Sequence, residues 1–240
     1  AINRHHTFQD VKNAVSRAQK MGFDNINVDL ILGLPNVTKD LFLKDLKNIC
    51  SLKVQHISCY SLTVHDHTVF GIKNIPEPSE DFSRELYDAT HAFLKRKGFD
   101  HYEISNWCLP GKESKHNLTY WKDDQYYGVG LGASAFVGRT RQTNTRSINK
   151  YLHLDFEPEK ELISREEDEE YFIMLNLRTK YGINYRTFHR RFGHMFKENH
   201  RETIAKYVSQ KLLVETKSGI YPTYEGMMII DRIILDLISD

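Results

Sequence analysis

The sequence predicts an α/β protein, with a parallel βαβ portion over residues 1–147 and a small winged-helix-like α+β domain over 148–240. Three observations predict it. From Phe8 to Leu62 apolar residues alternate between helical and strand spacing. A glycine- and aromatic-rich segment then interrupts that rhythm between Asn106 and Gly138, and the chain beyond about Ile148 turns helical and charged before a hairpin and a last helix.

The first helix starts at Phe8, repeats Val11, Ala14, Val15 and Ala18 on one face, and stops at Lys20-Met21-Gly22-Phe23. Ile26 to Leu32 reads as a short buried strand broken by Gly33-Leu34-Pro35, and Thr38 caps a second helix through Leu41, Leu43, Leu46 and Ile49. His56 to Leu62 is the next strand, so the short connections spell the βαβ unit of a parallel sheet. Pro76 and Pro78 lead into a helix over Glu80–Lys97 closed by Gly98, and a strand follows around Asp100–Ile104. Arg165 to Glu170 reads as a solvated helix start. Short helices, a hairpin from Leu212-Leu213-Val214-Glu215 to Gly219-Ile220-Tyr221-Pro222, and a helix from Met227 give the winged-helix-like order. No repeat or low-complexity stretch is visible.

Composition narrows the function classes. The chain has 240 residues, 40% hydrophobic and 27% charged, enough for a sizeable core. Thirty-three basic against 32 acidic residues give a formal charge of +1, so nothing calls for a nucleic-acid partner, and the C-terminal part lacks the basic surface that DNA binding requires. No apolar run approaches the roughly 20 residues of a membrane span, and the first residues do not form a signal peptide, so the expected compartment is the cytoplasm. Cys50, Cys59 and Cys108 match neither a disulfide framework nor a CxxC clip and read as reduced, buried or incidental thiols. The twelve histidines include His5-His6 and His65-x-His67, which have no carboxylate at ligand spacing and read as solvated.

Three places carry chemistry. Asp29 puts a carboxylate in the middle of an apolar strand, where it either accepts hydrogen bonds from a polar ligand or pairs with a base such as Arg4. His116-Asn117-Leu118-Thr119-Tyr120-Trp121 crowds an imidazole, a carboxamide, a phenol and an indole together. This segment reads as a heme or metal contact, or as an aromatic turn packed on a barrel rim. Gly128, Gly130 and Gly132, with Ala133 to Ala135, let backbone approach a flat ligand or another segment closely. The spacing is GxGxGA and not GxGxxG, which excludes a Rossmann site.

Taken in order, six segments carry a family resemblance. They are Asn3 to His6, Asp29 to Pro35, His56 to Leu62, Tyr102 to Asn106, His116 to Trp121 and Gly128 to Ala133. Together they resemble the radical S-adenosylmethionine (radical-SAM) heme chaperones, the oxygen-independent coproporphyrinogen III oxidase-like proteins. The resemblance implies the C-terminal part of a partial (β/α) radical-SAM barrel, with S-adenosylmethionine bound along the strand ends at a four-iron four-sulfur cluster, and heme as cargo for respiratory acceptor hemoproteins. It assigns Arg4, Asp29, Thr63 and Phe136 to S-adenosylmethionine, and His116, Asn117, Tyr120 and Trp121 to heme. A membrane-associated acceptor and a dimer are compatible with it.

One departure stands out. The family's CxxxCxxC cluster loop is absent from these 240 residues, so the chain is expected to hold no cluster metal and to perform no independent catalysis. That expectation treats it as a C-terminal fragment with an unpaired sheet edge. The alternative functions are radical decarboxylation of coproporphyrinogen III in porphyrin biosynthesis and a cluster-free binding module.

Overall fold

Capping chemistry and apolar spacing set the first elements. In the computed structural model, which describes residues 5–239, Thr7 and Asp10 form a reciprocal capping box that opens α1 (Phe8–Lys20). Arg4 lies outside the described residues. Strand β1 (Asn27–Leu32) follows, and the Thr38 hydroxyl then accepts a bond from the Leu41 amide to open α2 (Lys39–Ser51). Next come β2 (His56–Ser61), α3 (Val69–Ile72), α4 (Glu80–Arg96), β3 (Asp100–Glu103) and β4 (Asn106–Cys108).

These elements belong to the first of two compact units, Ala1–Glu113 and Ser114–Asp240. The first unit's sheet has the order β1-β2-β4-β3. Strands β1 and β2 pair in parallel, as the βαβ pattern predicts, with Asp29 opposite Ser58. Strand β4 differs from expectation, because it inserts antiparallel to both β2 and β3. Three residues are too few to show a period, so the sequence hid it among irregular chain. Its Trp107 nevertheless completes a core with Leu46, Ile57, Leu86 and Leu94, all fully buried. Each such side chain contributes about 1.5–3 kcal/mol on leaving water.

The second unit begins with α5 (Lys115–Trp121), β5 (Ser134–Val137), β6 (Thr140–Thr143), α6 (Ile148–Leu152) and β7 (Glu159–Leu162). Strands β5, β6 and β7 form an antiparallel sheet in sequence order, and the boundary expected at residue 147 falls between β6 and α6. Helices α7 (Arg165–Leu177), α8 (Tyr185–Phe192), α9 (Phe196–Asn199) and α10 (Arg201–Ser209) follow, with β8 (Ile183–Asn184) between α7 and α8. The expected hairpin is β9 (Leu213–Glu215) and β10 (Gly219–Pro222), and β8 joins it in the order β8-β10-β9. The terminal helix is two pieces, α11 (Tyr224–Met228) and α12 (Ile230–Ile238), because Ile229 leaves helical geometry at φ −123°.

The acidic start of α7 is only partly solvated. Ser164 and Glu167 form its capping box, but the side chain of Asp168 is 7% exposed and faces Arg191 of α8. Arg191 Nη2 lies 2.5 Å from Asp168 and 2.7 Å from Asp123, whose side chain is 4% exposed, and Nη1 donates to the Asp123 carbonyl at 3.1 Å. Burial raises the Asp123 carboxyl to about 6 despite Arg191, and the neighbouring charge of Asp168 adds to the rise. Burial disfavours the charge on Arg191, but its bonds to Asp168 and Asp123 outweigh that and raise its pKa.

Removing the shared cation leaves two buried carboxylates unpaired. Arg191→Met is expected to destabilise the chain by about 3 kcal/mol in urea unfolding, and a loss within error of zero refutes that role. Asp123 has a folded pKa near 6, above the roughly 3.9 of an unfolded aspartate. Its contribution to stability is therefore complete below the unfolded value and is lost as pH rises through about 6. Wild type is expected to gain stability over Asp123→Asn as pH falls from about 7.5 to about 5. A difference that stays flat across this range would contradict the raised carboxyl.

Candidate functional site

Helix α5 arranges the HNxxYW segment as two adjacent stripes. Ser114 caps it by accepting from the Asn117 amide, and the i,i+4 spacing then stacks His116 under Tyr120 and Asn117 under Trp121. His116 and Tyr120 are exposed, while Asn117 and Trp121 are half-buried. His116 Nε2 lies 3.2 Å from the Tyr120 hydroxyl, with the rings edge to face at 4.9 Å. Tyr120 in turn meets Tyr126 edge to face at 4.6 Å. Three rings thus run from the helix surface inward.

They end at a cavity of about 140 Å³. Tyr120, Asp123, Tyr126 and Phe136 line one part of it, and Arg141, Tyr171, Met174 and Leu175 the rest. The backbones of Tyr126 and Phe136 exchange two hydrogen bonds of 2.9 Å, which fixes the buried Phe136 ring beside the tyrosines. Register places Arg141 of β6 opposite Phe136 of β5. Phe136, assigned by resemblance to S-adenosylmethionine, is therefore brought together with Tyr120, assigned to heme. Sequence reasoning missed Asp123, Tyr126, Arg141 and Tyr171, which no shared period connects.

The glycine run has two roles. A side chain at Gly128 would strike the carbonyl oxygen of Ser134, so this position is closed by packing. Gly130 has open space around it and a φ of +118°, which a residue with a Cβ rarely adopts. Asn144 Nδ2 holds the Gly130 carbonyl at 2.9 Å. The loop leaves Tyr127 and Val129 84% and 88% exposed.

Asp29 and Thr63 belong to the first unit. Asp29 is exposed, contrary to the buried carboxylate the apolar run implied. Strand alternation is the cause, since Val28, Leu30 and Leu32 pack on the core and turn Asn27 and Asp29 to the opposite face. On that face Asn27 Nδ2 donates to Asp29 at 2.7 Å, while Asn27 Oδ1 lies 2.7 Å from His56 Nδ1. His56 Nε2 lies 2.8 Å from the Tyr102 hydroxyl. Burial lowers the His56 pKa, against the opposing charges of Asp29 and Glu113, so the ring is neutral near pH 7. Thr63 is exposed five residues beyond Ser58, the register partner of Asp29, or roughly 16 Å along the chain at strand rise.

The three thiols do not fit an iron–sulfur cluster. Cys59 and Cys108 are buried in separate strands, Cys50 lies on α2, and burial pushes the Cys50 and Cys59 thiols up, away from the thiolate form a metal needs. Among the described residues no group of three or more His, Cys, Asp or Glu side chains gathers at metal-holding distance. The described residues also contain no helix long and apolar enough to cross a membrane. His5, His6, His65 and His67 are all exposed.

Comparison with known proteins gives the lineage. Residues 163–229 match the HemN C-terminal domain family. Heme chaperone HemW of Lactococcus lactis is 36% identical over 94% of this chain and 61% of its own length. Heme chaperone HemW of Bacillus subtilis is 32% identical over 95% of this chain and 62% of its own length. Among solved structures, coproporphyrinogen III oxidase (HemN) from Escherichia coli, described as a radical SAM enzyme, superposes with a TM-score of 0.80 at 18% identity. That match covers 99% of this chain and 60% of the other and shows the shared fold. The chain spans about three fifths of the length of the curated relatives it matches. Sequence and fold agree: residues 163–229 belong to the HemN C-terminal domain family, and over almost its whole length the chain is similar to the heme chaperones HemW and shares the fold of HemN.

Proposed function

We propose that the chain is the heme-handling part of a heme chaperone, taking up heme at α5 and passing it to an acceptor hemoprotein. The observation that carries this reading is the ladder of His116, Tyr120 and Tyr126, an exposed imidazole on α5 backed by flat rings that lead into a cavity. His116 supplies the iron-facing nitrogen, for which its contact to Tyr120 opens or its other ring nitrogen serves. Tyr120 and Trp121 offer faces to the macrocycle, and Asn117 a polar edge. The exposed Tyr127 and Val129 extend the apolar surface.

S-adenosylmethionine is assigned to Asp29, Thr63 and Phe136, together with Arg4, and the cluster to the intact protein. When bound, that pair would supply radical chemistry. This chain's own part is to accept hydrogen bonds at the exposed Asp29 carboxylate. Residues 1–147 serve as the barrel portion and 148–240 as the C-terminal domain, with a cytoplasmic location and a respiratory acceptor. Radical decarboxylation of coproporphyrinogen III is the second reading, favoured by the superposition on HemN. Formation of protoporphyrinogen by the intact protein would select it.

Titrating the purified chain with hemin tests the first reading by absorbance. His116→Ala is expected to shift the Soret band and weaken binding about tenfold or more, which corresponds to about 1.4 kcal/mol. An unchanged spectrum and affinity removes His116 from the site.

A further inference from the structure

Two arginines of the second unit lie against aromatic rings, and they differ in one respect. Arg191 has its two carboxylates. Arg141 has none: among the described residues no acidic group lies within ion-pair distance of its guanidinium, and its enclosed Nε has no hydrogen-bond partner. The guanidinium carbon sits 3.9 Å from the Tyr171 ring centroid and 5.5 Å from that of Phe136. Rings on two sides hold the planar cation in place but satisfy none of its five donors. An enclosed Nε without an acceptor is costly, and the Asp123 carboxylate, which Arg141 feels electrostatically, is already bonded to Arg191, so the pocket has room for an anion from outside the chain.

The cavity around it states which anion. Its volume of about 140 Å³ compares with the roughly 150 Å³ that holds a benzene-sized guest, so it admits one arm of a ligand and not a macrocycle. A flat carboxylate matches the guanidinium fork. Asp123 also faces the cavity, and its negative charge disfavours a phosphate dianion more than a carboxylate monoanion. Burial raises the Tyr126 pKa, which keeps its hydroxyl protonated as a donor. Tyr120 lines the cavity and also touches His116, so it joins the entrance to the exposed imidazole.

We propose that the Arg141 cavity is a carboxylate pocket that receives one propionate arm of the tetrapyrrole, while the macrocycle lies outside against α5. The proposal rests on the heme reading above. It makes Arg141 the residue that distinguishes an acid side arm from a neutral one.

The test compares hemin with its dimethyl ester on the full chain, as wild type, Arg141→Lys and Arg141→Met, with circular dichroism to verify folding. Wild type is expected to bind the acid about tenfold or more tightly than the ester. Arg141→Met should bring the acid down to the ester's affinity, and Arg141→Lys should keep part of the preference as a point charge without the fork. Equal binding of acid and ester by wild type, or the wild-type ratio retained in Arg141→Met, overturns the carboxylate pocket and leaves the heme reading standing. If wild type binds neither ligand, both fall. Should Arg141→Met not fold, the wild-type ratio and the response of Arg141→Lys decide.

Discussion

One guanidinium holds two buried carboxylates, and much of the second unit depends on it. Asp123 directly follows the end of α5 in the left-handed region, at φ 55°, a conformation an aspartate tolerates better than most residues. Asp168 sits in the first turn of α7, and Arg191 near the end of α8 reaches both. The pair therefore ties α5 to the C-terminal helices by charge and direction. Tyr120 and Tyr126 flank Asp123 by three residues on either side, so the same tie sets two aromatic walls of the cavity. A buried ion pair of this kind is better read as fixing one arrangement than as adding net stability, because the desolvation of three charges offsets most of their attraction.

The contrast between Arg191 and Arg141 follows from the same chemistry. Consecutive residues of α7 serve the two cations: Tyr171 stacks on Arg141, and Phe172 lies 5.4 Å from Arg191. Arg191 is saturated by carboxylates, so it cannot take a ligand anion without releasing Asp123 or Asp168. Arg141 has its position fixed by rings and its donors left over. A site that recognises an anion needs that division, because a cation already neutralised within the fold has little charge to offer.

Period decided what could be read from the sequence. The elements of the first unit with clear apolar spacing appear where expected, from the Val11, Val15 face of α1 to the parallel pair β1–β2. Strand β4 was hidden because three residues carry no pattern, although Trp107 gave it a buried anchor. HNxxYW was visible as a cluster, and its i,i+4 stripes explain why these residue types stand at that spacing. The cavity was not legible. Asp123, Tyr126, Phe136, Arg141 and Tyr171 come from a loop, two strands and a helix, and only tertiary folding brings them together. The acidic run from Glu166 to Glu170 misled in the same way, since Asp168 pairs with a residue 23 positions later.

Asp29 stands in a different environment from the one its apolar neighbours implied. A buried carboxylate would need a cation within the chain, whereas an exposed one on a polar sheet face needs only orientation. Asn27 supplies it. Its amide nitrogen donates to Asp29 and its oxygen faces His56, so His56 must carry its proton on Nδ1 to donate there. The remaining ring nitrogen, Nε2, then accepts from the buried Tyr102 hydroxyl. With His56 neutral, the form that burial favours, the bonds run in one direction from Tyr102 through His56 and Asn27 to Asp29. Among the described residues no donor is bonded to the second oxygen of Asp29, so the chain of bonds ends on an oriented, exposed acceptor.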